Sequence, residues 1–391
     1  MAKRESKLCP GCASTQSHSF YSVRLPILCT FLFDDRESAL KAPKADIDLK
    51  ACLECGLIFN AVFDAGLVTY DDSYEESQEF SATYADFVSD LADRLNESLS
   101  LKGKSILEIG CGKGYFLSQM AKKGIENAVG YDPVFIPSRS EEMPANVTIY
   151  PQNFTDDDSG HGAALVIVRH TLEHVASASR FIGMIGKTTS DSRAPLFVEV
   201  PNAEKILKEG AFWDVYYEHS LYFSSDSLRR VLALNGYEST ESWTAYDEQY
   251  LLNLSKPIEH RTLPLSKFDV EHLIAVTNVF KTSVEQKLKA ISNELALLEK
   301  ENKSVFLWGA GSKAVSLLEH LGHPEVIQGV VDINPYKHGR YMPSFGTPVL
   351  SPRQLPELQP DAVLIMNPVY EQEISSMIES MGLTPTLMTL K

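Results

Sequence analysis

Glu108, Gly110, Gly112 and Gly114 stand at alternate positions in SILEIGCGKGYF, and Asp132 follows at the end of AVGYD. Glycines this close remove the Cβ atoms that would hold a bound molecule off the backbone, and they supply positive φ where a tight turn needs it. A dinucleotide fingerprint, G-x-G-x-x-G, would put glycine at 115, where the chain has Tyr115. A carboxylate at Glu108 repels a pyrophosphate and suits a sulfonium or amino cation, while Asp132 is placed to accept hydrogen bonds from ribose hydroxyls. A second constellation lies in FWDVYYEHSLYFS, where Trp213, Tyr216, Tyr217, Glu218, His219, Tyr222 and Phe223 set a carboxylate beside an imidazole in an aromatic wall. Imidazole has the ordinary pKa closest to working pH and is the natural general base. A neighbouring Glu218 can bias its tautomer or stabilise its charged form. Third, Cys9-Pro-Gly-Cys12 and Cys52-Leu-Glu-Cys55 are two C-x-x-C knuckles, the spacing by which thiolates grip one tetrahedral zinc ion. Four cysteines close the coordination sphere, so this zinc is expected to be structural. Cys29, in the apolar run LPILCTFLF, reads as a packed core thiol.

These groups need an α/β scaffold. Ser105 to Ile109 reads as a buried strand, Gly110 to Gly114 as a turn, and Tyr115 to Lys123 as a helix with apolar residues at threes and fours. NVTIYPQNF gives a further strand, and ALVIVRHTLEHV is apolar to Val168 and then abruptly polar through His174. LFVEVPN follows as another strand, with Glu199 near its end. Ligands in open α/β sheets lie off the carboxyl ends of strands, so the polar switch at Arg169 points toward the bound molecules. Glu173 and His174 read as supporting groups or helix caps. ATYADFVSDLADRL reads as a helix, and the polar TYDDSYEESQEFS before it places Tyr70 and Tyr74 where a lid would sit; each carries a phenol that could reach substrate or pack between domains, Tyr70 being the better candidate for packing.

Over roughly residues 100 to 255 the sequence resembles the class I S-adenosylmethionine (SAM) methyltransferases, whose glycine turn matches Glu108, Gly110, Gly112 and Gly114 and whose ribose acid matches Asp132. Phe154 would then stack on the adenine or pack in the core, and His170 would pack against cofactor. The paired knuckles, this fold, Y-x-E-H followed by YFS, and a second Rossmann-like unit together resemble the three-domain C-methyltransferases of nucleotide-linked keto-deoxysugars, over nearly the whole chain. The resemblance places Tyr216, Glu218 and His219 at the reacting carbon; Tyr74, from its lid position, and Tyr222, from the aromatic wall, are the candidates to meet the substrate. It implies that His219 or Tyr216 removes the proton α to a ketone and that the enolate carbon attacks the SAM methyl. Proximity supplies much of the rate. The chain departs from the family at Glu76, where a second tyrosine is frequent, and in AYDEQYLLNLS, where a His-Gly-Gly-Ser run is frequent. Both departures bear on the sugar's identity.

Residues 268 to 300 form one amphipathic run, with Val284, Leu288, Ile291, Leu295 and Leu298 on one stripe, suited to a connecting helix. SVFLWGAGSKAV then presents Gly309, Gly311 and Ala314 in G-x-G-x-x-A after a strand, with Asp332 closing the next strand. An anion-binding helix start there suits a nucleotide sugar's diphosphate, with Lys313, Lys337 and Arg340 as candidates to face it. The same turn supports an alternative, an NAD-dependent oxidoreductase; others are methyl transfer to oxygen or nitrogen and a non-catalytic nucleotide-sugar-binding protein. The expected fold is α/β: a class I SAM-methyltransferase Rossmann-like core with an N-terminal zinc-binding domain and a C-terminal Rossmann-like domain. The expected boundaries are 1–66, 67–258 with a lid segment at 67–99, and 259–391. A length of 391 residues with 44% apolar content supports several cores. A net charge of −16 argues against nucleic acid or anionic membrane as partner and leaves a small-molecule substrate. No signal-peptide pattern or membrane-length apolar run is present, so a cytoplasmic location is expected, and there the six cysteines stay reduced. The oligomeric state is not legible.

Overall fold

The computed structural model describes residues 8–69, 77–136, 143–259, 261–322 and 325–391; Tyr70, Tyr74 and Glu76 lie outside them. After the first knuckle come β1 (Ser17–Pro26), α1 (Arg36–Leu40), β2 (Lys44–Cys52) and β3 (Ile58–Asn60). β1 and β2 pair antiparallel from Ser17 opposite Cys52 to Pro26 opposite Lys44, so a long hairpin fills the gap between the knuckles.

The helix α2 (Ala82–Leu99) starts where the Ser81 hydroxyl accepts from Tyr84 N, and it buries Val88, Leu91, Ala92 and Leu95 on one face. There follow β4 (Ser105–Ile109), α3 (Tyr115–Lys122), β5 (Asn127–Tyr131), β6 (Val147–Tyr150), β7 (Leu165–Arg169), α4 (Ala178–Thr188), β8 (Leu196–Pro201), α5 (Ala203–Glu209), β9 (Leu221–Tyr222), α6 (Ser225–Leu234), β10 (Tyr237–Ala245) and β11 (Tyr250–Pro257). Seven of these strands form one sheet in the order β10-β11-β8-β7-β4-β5-β6. The run from β8 to β6 is parallel, and β11 enters antiparallel against β8. Its central strands are covered on both faces, which is why Leu165 to Val168 and Leu196 to Val198 are continuously apolar and buried. Strand order reverses at β4 and β7, the switch point where a cleft opens off their carboxyl ends. This is the expected class I methyltransferase core.

The helix α7 (Lys267–Lys300) runs 34 residues from a Ser266–Asp269 capping box. It buries Val284 and Leu295, while Leu288, Ile291 and Leu298 pack partly buried on the same core, against α5 and the first hairpin. Then come β12 (Val305–Trp308), α8 (Ser312–Leu321), β13 (Ile327–Val331), β14 (Val349–Leu350), α9 (Leu355–Leu358), β15 (Ala362–Ile365), α10 (Glu371–Ser380) and β16 (Thr386–Thr389). Their sheet is parallel throughout, in the order β14-β13-β12-β15-β16.

One strand breaks the sequential layout. The first sheet is β1-β2-β3-β9, with Ile58 opposite Tyr222 and Phe59 opposite Leu221, so residues just past His219 complete the sheet that carries the second knuckle. Among the described residues no helix is long and apolar enough to cross a membrane.

Candidate active site

Gly110 and Gly112 leave β4 with φ of 76° and 54°. A Cβ at Gly110 would lie 2.0 Å from Thr171 Oγ1, so the approach of the loop after β7 demands glycine as well as the dihedral does. The turn is latched from β5: Gly112 N donates to Asp132 Oδ2 at 2.8 Å and Val134 N to Oδ1 at 2.9 Å. The C-terminal unit repeats the device, with Ala310 N and Asn334 N each donating to Asp332 at 2.8 Å. Both turns open onto one cleft of about 420 Å³. On its rim, Tyr370 Oη donates to Gln78 Oε1 at 2.7 Å, and Glu373 Oε2 accepts from Ser81 Oγ and Thr83 Oγ1 at 2.7 Å each, tying the start of α2 to the C-terminal unit.

Glu108 is buried at the end of β4 beside the cleft, and its Oε2 has no hydrogen-bond partner. Burial pushes its carboxyl up to about 8, with the Arg169 guanidinium opposing. Arg169 Nε donates to Glu199 Oε2 at 2.5 Å, and its guanidinium lies over the Phe116 ring at 4.3 Å. His170 takes a left-handed φ of 47°, a conformation that must be held by its surroundings. They hold it well: its N donates to Glu199 O at 2.9 Å, its Nε2 meets Glu199 Oε1 at 3.0 Å, and Tyr250 packs edge-on at 4.6 Å. Burial works against charge on His170, but the carboxylates of Glu199 and Glu173 outweigh it and bring the imidazole up to about 9.

Tyr216 and His219 both line the cleft, with Tyr216 Oη 2.6 Å from His219 Nε2. Burial, with the adjoining His174, His170 and Lys313, pushes the His219 imidazole well below its ordinary value, so it is neutral. Glu218 turns the other way. Its Oε1 accepts from Cys29 N at 2.6 Å and from Thr30 N and Oγ1 at 3.1 Å each, anchoring the loop after β1 instead of steering His219. Burial pushes that carboxyl up to about 7. Glu218→Ala should therefore lower stability by about 2–4 kcal/mol, because the buried Cys29 N–H and the half-buried Thr30 N–H lose their acceptor. A melting curve reads this, and an unchanged melting temperature would refute the anchor.

Of the other expected site residues, Lys313 and Lys337 line the cleft, and Tyr222, Phe154 and Arg340 do not. Tyr222 is buried behind Tyr216, its hydroxyl donating to Tyr216 O at 3.4 Å, because β9 commits it to the first sheet's core. Phe154 packs edge-on to Tyr131 at 5.0 Å in the core and does not line the cleft. Lys337 lines the second turn but is committed inward, donating to Ala310 O at 3.0 Å and Asp332 Oδ2 at 3.2 Å. Lys313 faces the cleft in an ion pair with Asp214, and Arg340 pairs with Asp34 away from it. Sequence reasoning missed the Arg169–Glu199 pair, Tyr250 and Glu373. The polar switch after Val168 was a signal for the first; the others come from distant elements and leave no local mark.

The four knuckle sulfurs converge, with Cys9 and Cys55 Sγ 3.7 Å apart and Cys12 and Cys52 Sγ 3.5 Å apart. Zn–S bonds of about 2.3 Å in a tetrahedron set Sγ separations near roughly 3.8 Å. The donor set and its spacing fit zinc.

Residues 76–242 match the family described as methyltransferase domain, and residues 269–383 match the C-methyltransferase C-terminal domain. The chain is 26% identical over 306 residues to the C-methyltransferase NovU of Streptomyces niveus, covering 73% of this chain and 71% of that one. A 40-residue stretch is 45% identical to a tRNA U34 carboxymethyltransferase of Pseudomonas fluorescens (strain Pf0-1), over 10% of this chain and 13% of that protein. Among solved structures, magnesium protoporphyrin IX methyltransferase of Synechocystis PCC 6803 with bound SAH is similar with a TM-score of 0.37 and 16% identity, over 47% of this chain and 90% of that chain.

Proposed function

We propose that this chain, which belongs to the SAM-dependent C-methyltransferases, methylates a carbon beside a ketone in a nucleotide-linked sugar by way of an enolate. The observation that carries this reading is the neutral, buried His219 imidazole hydrogen-bonded at 2.6 Å to Tyr216 Oη on the wall of the cleft that both glycine turns share. SAM fits the residues of the first turn. Glu108 Oε2 is a buried acceptor without a partner, suited to the ammonium, and Asp132 keeps lone pairs for the ribose beside Gly110, Gly112 and Gly114. His170 borders the same space. When bound, SAM supplies an electrophilic methyl group on sulfur.

The chain's own residues do the rest. Tyr216 Oη takes the proton from the α-carbon as it passes its own hydroxyl proton to His219 Nε2 along their 2.6 Å hydrogen bond, leaving the enolate and an imidazolium. Tyr84, Tyr250 and Trp308 line the cleft and keep water from reprotonating the carbanion. The amino end of α8 faces the cleft and suits a diphosphate, with Lys313 changing partner from Asp214. The cysteine tetrad holds zinc as a structural ion. In this reading residues 1–66 carry the zinc, 67–258 bind SAM and 259–391 hold the nucleotide.

Incubating the protein with candidate nucleotide-linked keto-sugars in D2O without SAM is the direct test. Deuterium appearing at the carbon later methylated supports the enolate; methylation of a sugar oxygen with no wash-in would end the reading.

Glu108 adds a pH signature. A carboxyl near 8 is protonated below that pH, and an ammonium binds it only after the proton leaves. SAM affinity should therefore rise toward pH 8, by up to about tenfold per unit from pH 6, with release of one proton. Titration calorimetry in buffers of different ionisation enthalpy measures both, and Glu108→Gln should flatten the profile. A flat wild-type profile would remove Glu108 from the ammonium site.

A further inference from the structure

Glu173 has no place in the chemistry above, and its surroundings are unusual. Its carboxylate is 1% exposed, and neither oxygen makes a hydrogen bond. The nearest charge is His170 Nδ1, 3.6 Å from Oε1 and already turned to Glu199 through its other nitrogen. A buried carboxylate without hydrogen bonds costs several kcal/mol, and the charge beside it, His170, is shared with Glu199 and makes it no hydrogen bond. Across from it, His219 is 6% exposed and its Nδ1 also has no partner. The His174 ring lies edge-on to His219 at 4.8 Å. One donor atom each from Glu173, His174 and His219 lies within 4.8 Å of the others. Glu173 and His219 are thus near neighbours that do not bond each other directly, a spacing that suits a shared ion.

We propose that Glu173, His174 and His219 form a second metal site, a His₂Glu set for a divalent transition cation such as Zn²⁺ or Co²⁺. Two features of metal centres support it. Each imidazole has another atom fixed by a neighbour, His219 Nε2 by Tyr216 Oη and the His174 ring by the Glu218 backbone. The two segments are also locked in register, since Ser220 N and Leu221 N donate to Glu173 O at 2.9 and 3.1 Å. All three side chains line the cleft, so the site keeps positions open toward it. A cation on Nδ1 makes His219 Nε2 the N–H donor to Tyr216 Oη, so a loaded site holds Tyr216 as the phenolate that takes the proton directly and offers a Lewis acid to a substrate oxygen. Only that role rests on the proposed enolate chemistry; the site itself rests on its donors.

The test adds Co²⁺ to full-length protein whose cysteine tetrad is loaded with zinc, and it follows absorption and metal content. One further equivalent should bind, with weak ligand-field bands and no thiolate charge transfer. Glu173→Gln should weaken that equivalent more than about a hundredfold, while zinc in the tetrad and the melting curve report that the variant is folded. If cobalt only exchanges into the tetrad, with thiolate charge transfer, or no extra equivalent binds to wild type, the site does not exist. Undiminished binding to Glu173→Gln would equally refute it. Deuterium wash-in at the sugar carbon is read separately, so either conclusion can fail alone.

Discussion

A protein carrying Tyr216→Phe binds SAM normally and transfers its methyl group about 10²- to 10⁴-fold more slowly, the usual effect of removing a positioned acid or base. The ring remains to fill its place against His219, whose centroid lies 3.9 Å away, and only the hydroxyl on the cleft is lost. In the proposed reading SAM is held by the turn after β4, a different element from the one that carries Tyr216, so its affinity should stay within about twofold. Because Tyr216 and His219 act through one hydrogen bond, His219→Asn added to Tyr216→Phe should cost far less than the product of the two single losses. Single-turnover methyl transfer at saturating SAM measures this. Deuterium wash-in should fall in step with it, since both report the same proton. Turnover of Tyr216→Phe within about threefold of wild type would show that another group takes the proton.

Some of this architecture was legible residue by residue. The strand Ser105–Ile109 and its glycine turn could be read because apolar burial, glycine and helical periodicity are local properties. The knuckles were legible because metal spacing is a chemical constraint written into sequence. Where side chains point was less so. Glu218 adjoins His219 in sequence, yet in the turn before β9 one faces the loop at Cys29 and the other the cleft. The carboxylate that shares the His219 cluster is Glu173, brought there by backbone bonds between the loop after β7 and the start of β9. Lys337 lines the cleft, yet its amino group is held inward for a similar reason. Its own turn folds back onto Asp332 and the Ala310 carbonyl, so the charge stabilises the glycine turn from beneath. Tyr250 owes its place to β11 entering the sheet antiparallel beside β8, a long-range pairing that no window of sequence contains.

Another long-range pairing, β3 with β9, should make the cysteine tetrad matter to catalysis although it lies away from the cleft. Cys52→Ser removes, at the end of β2, one of the four sulfurs whose spacing fits zinc. Structural zinc contributes about 10–16 kcal/mol to the folding of small zinc modules, and a whole domain retains only about 5–15 kcal/mol. The variant should therefore lose more than about 3 kcal/mol and bind zinc far more weakly. The loss is transmitted along a traceable route. Cys52 N donates to Leu57 O and Gly56 N to Cys52 O, closing the turn that aligns β3. β3 pairs with β9, and Asn60 N donates to Ser220 O, next to His219. The first knuckle reaches the opposite flank, where Pro10 O accepts from Ser179 N at the start of α4. Loosening the tetrad frees the strand that carries Tyr222 and, with it, the segment that aims His219 and Tyr216, while the turn after β4 keeps its own strands and its latch to Asp132. Methyl transfer should fall well before SAM affinity does. Zinc content, turnover and SAM binding measured on the same samples of Cys52→Ser read this order. A variant that has lost its zinc yet melts and turns over like wild type would show that the first sheet does not hold the catalytic segment in place.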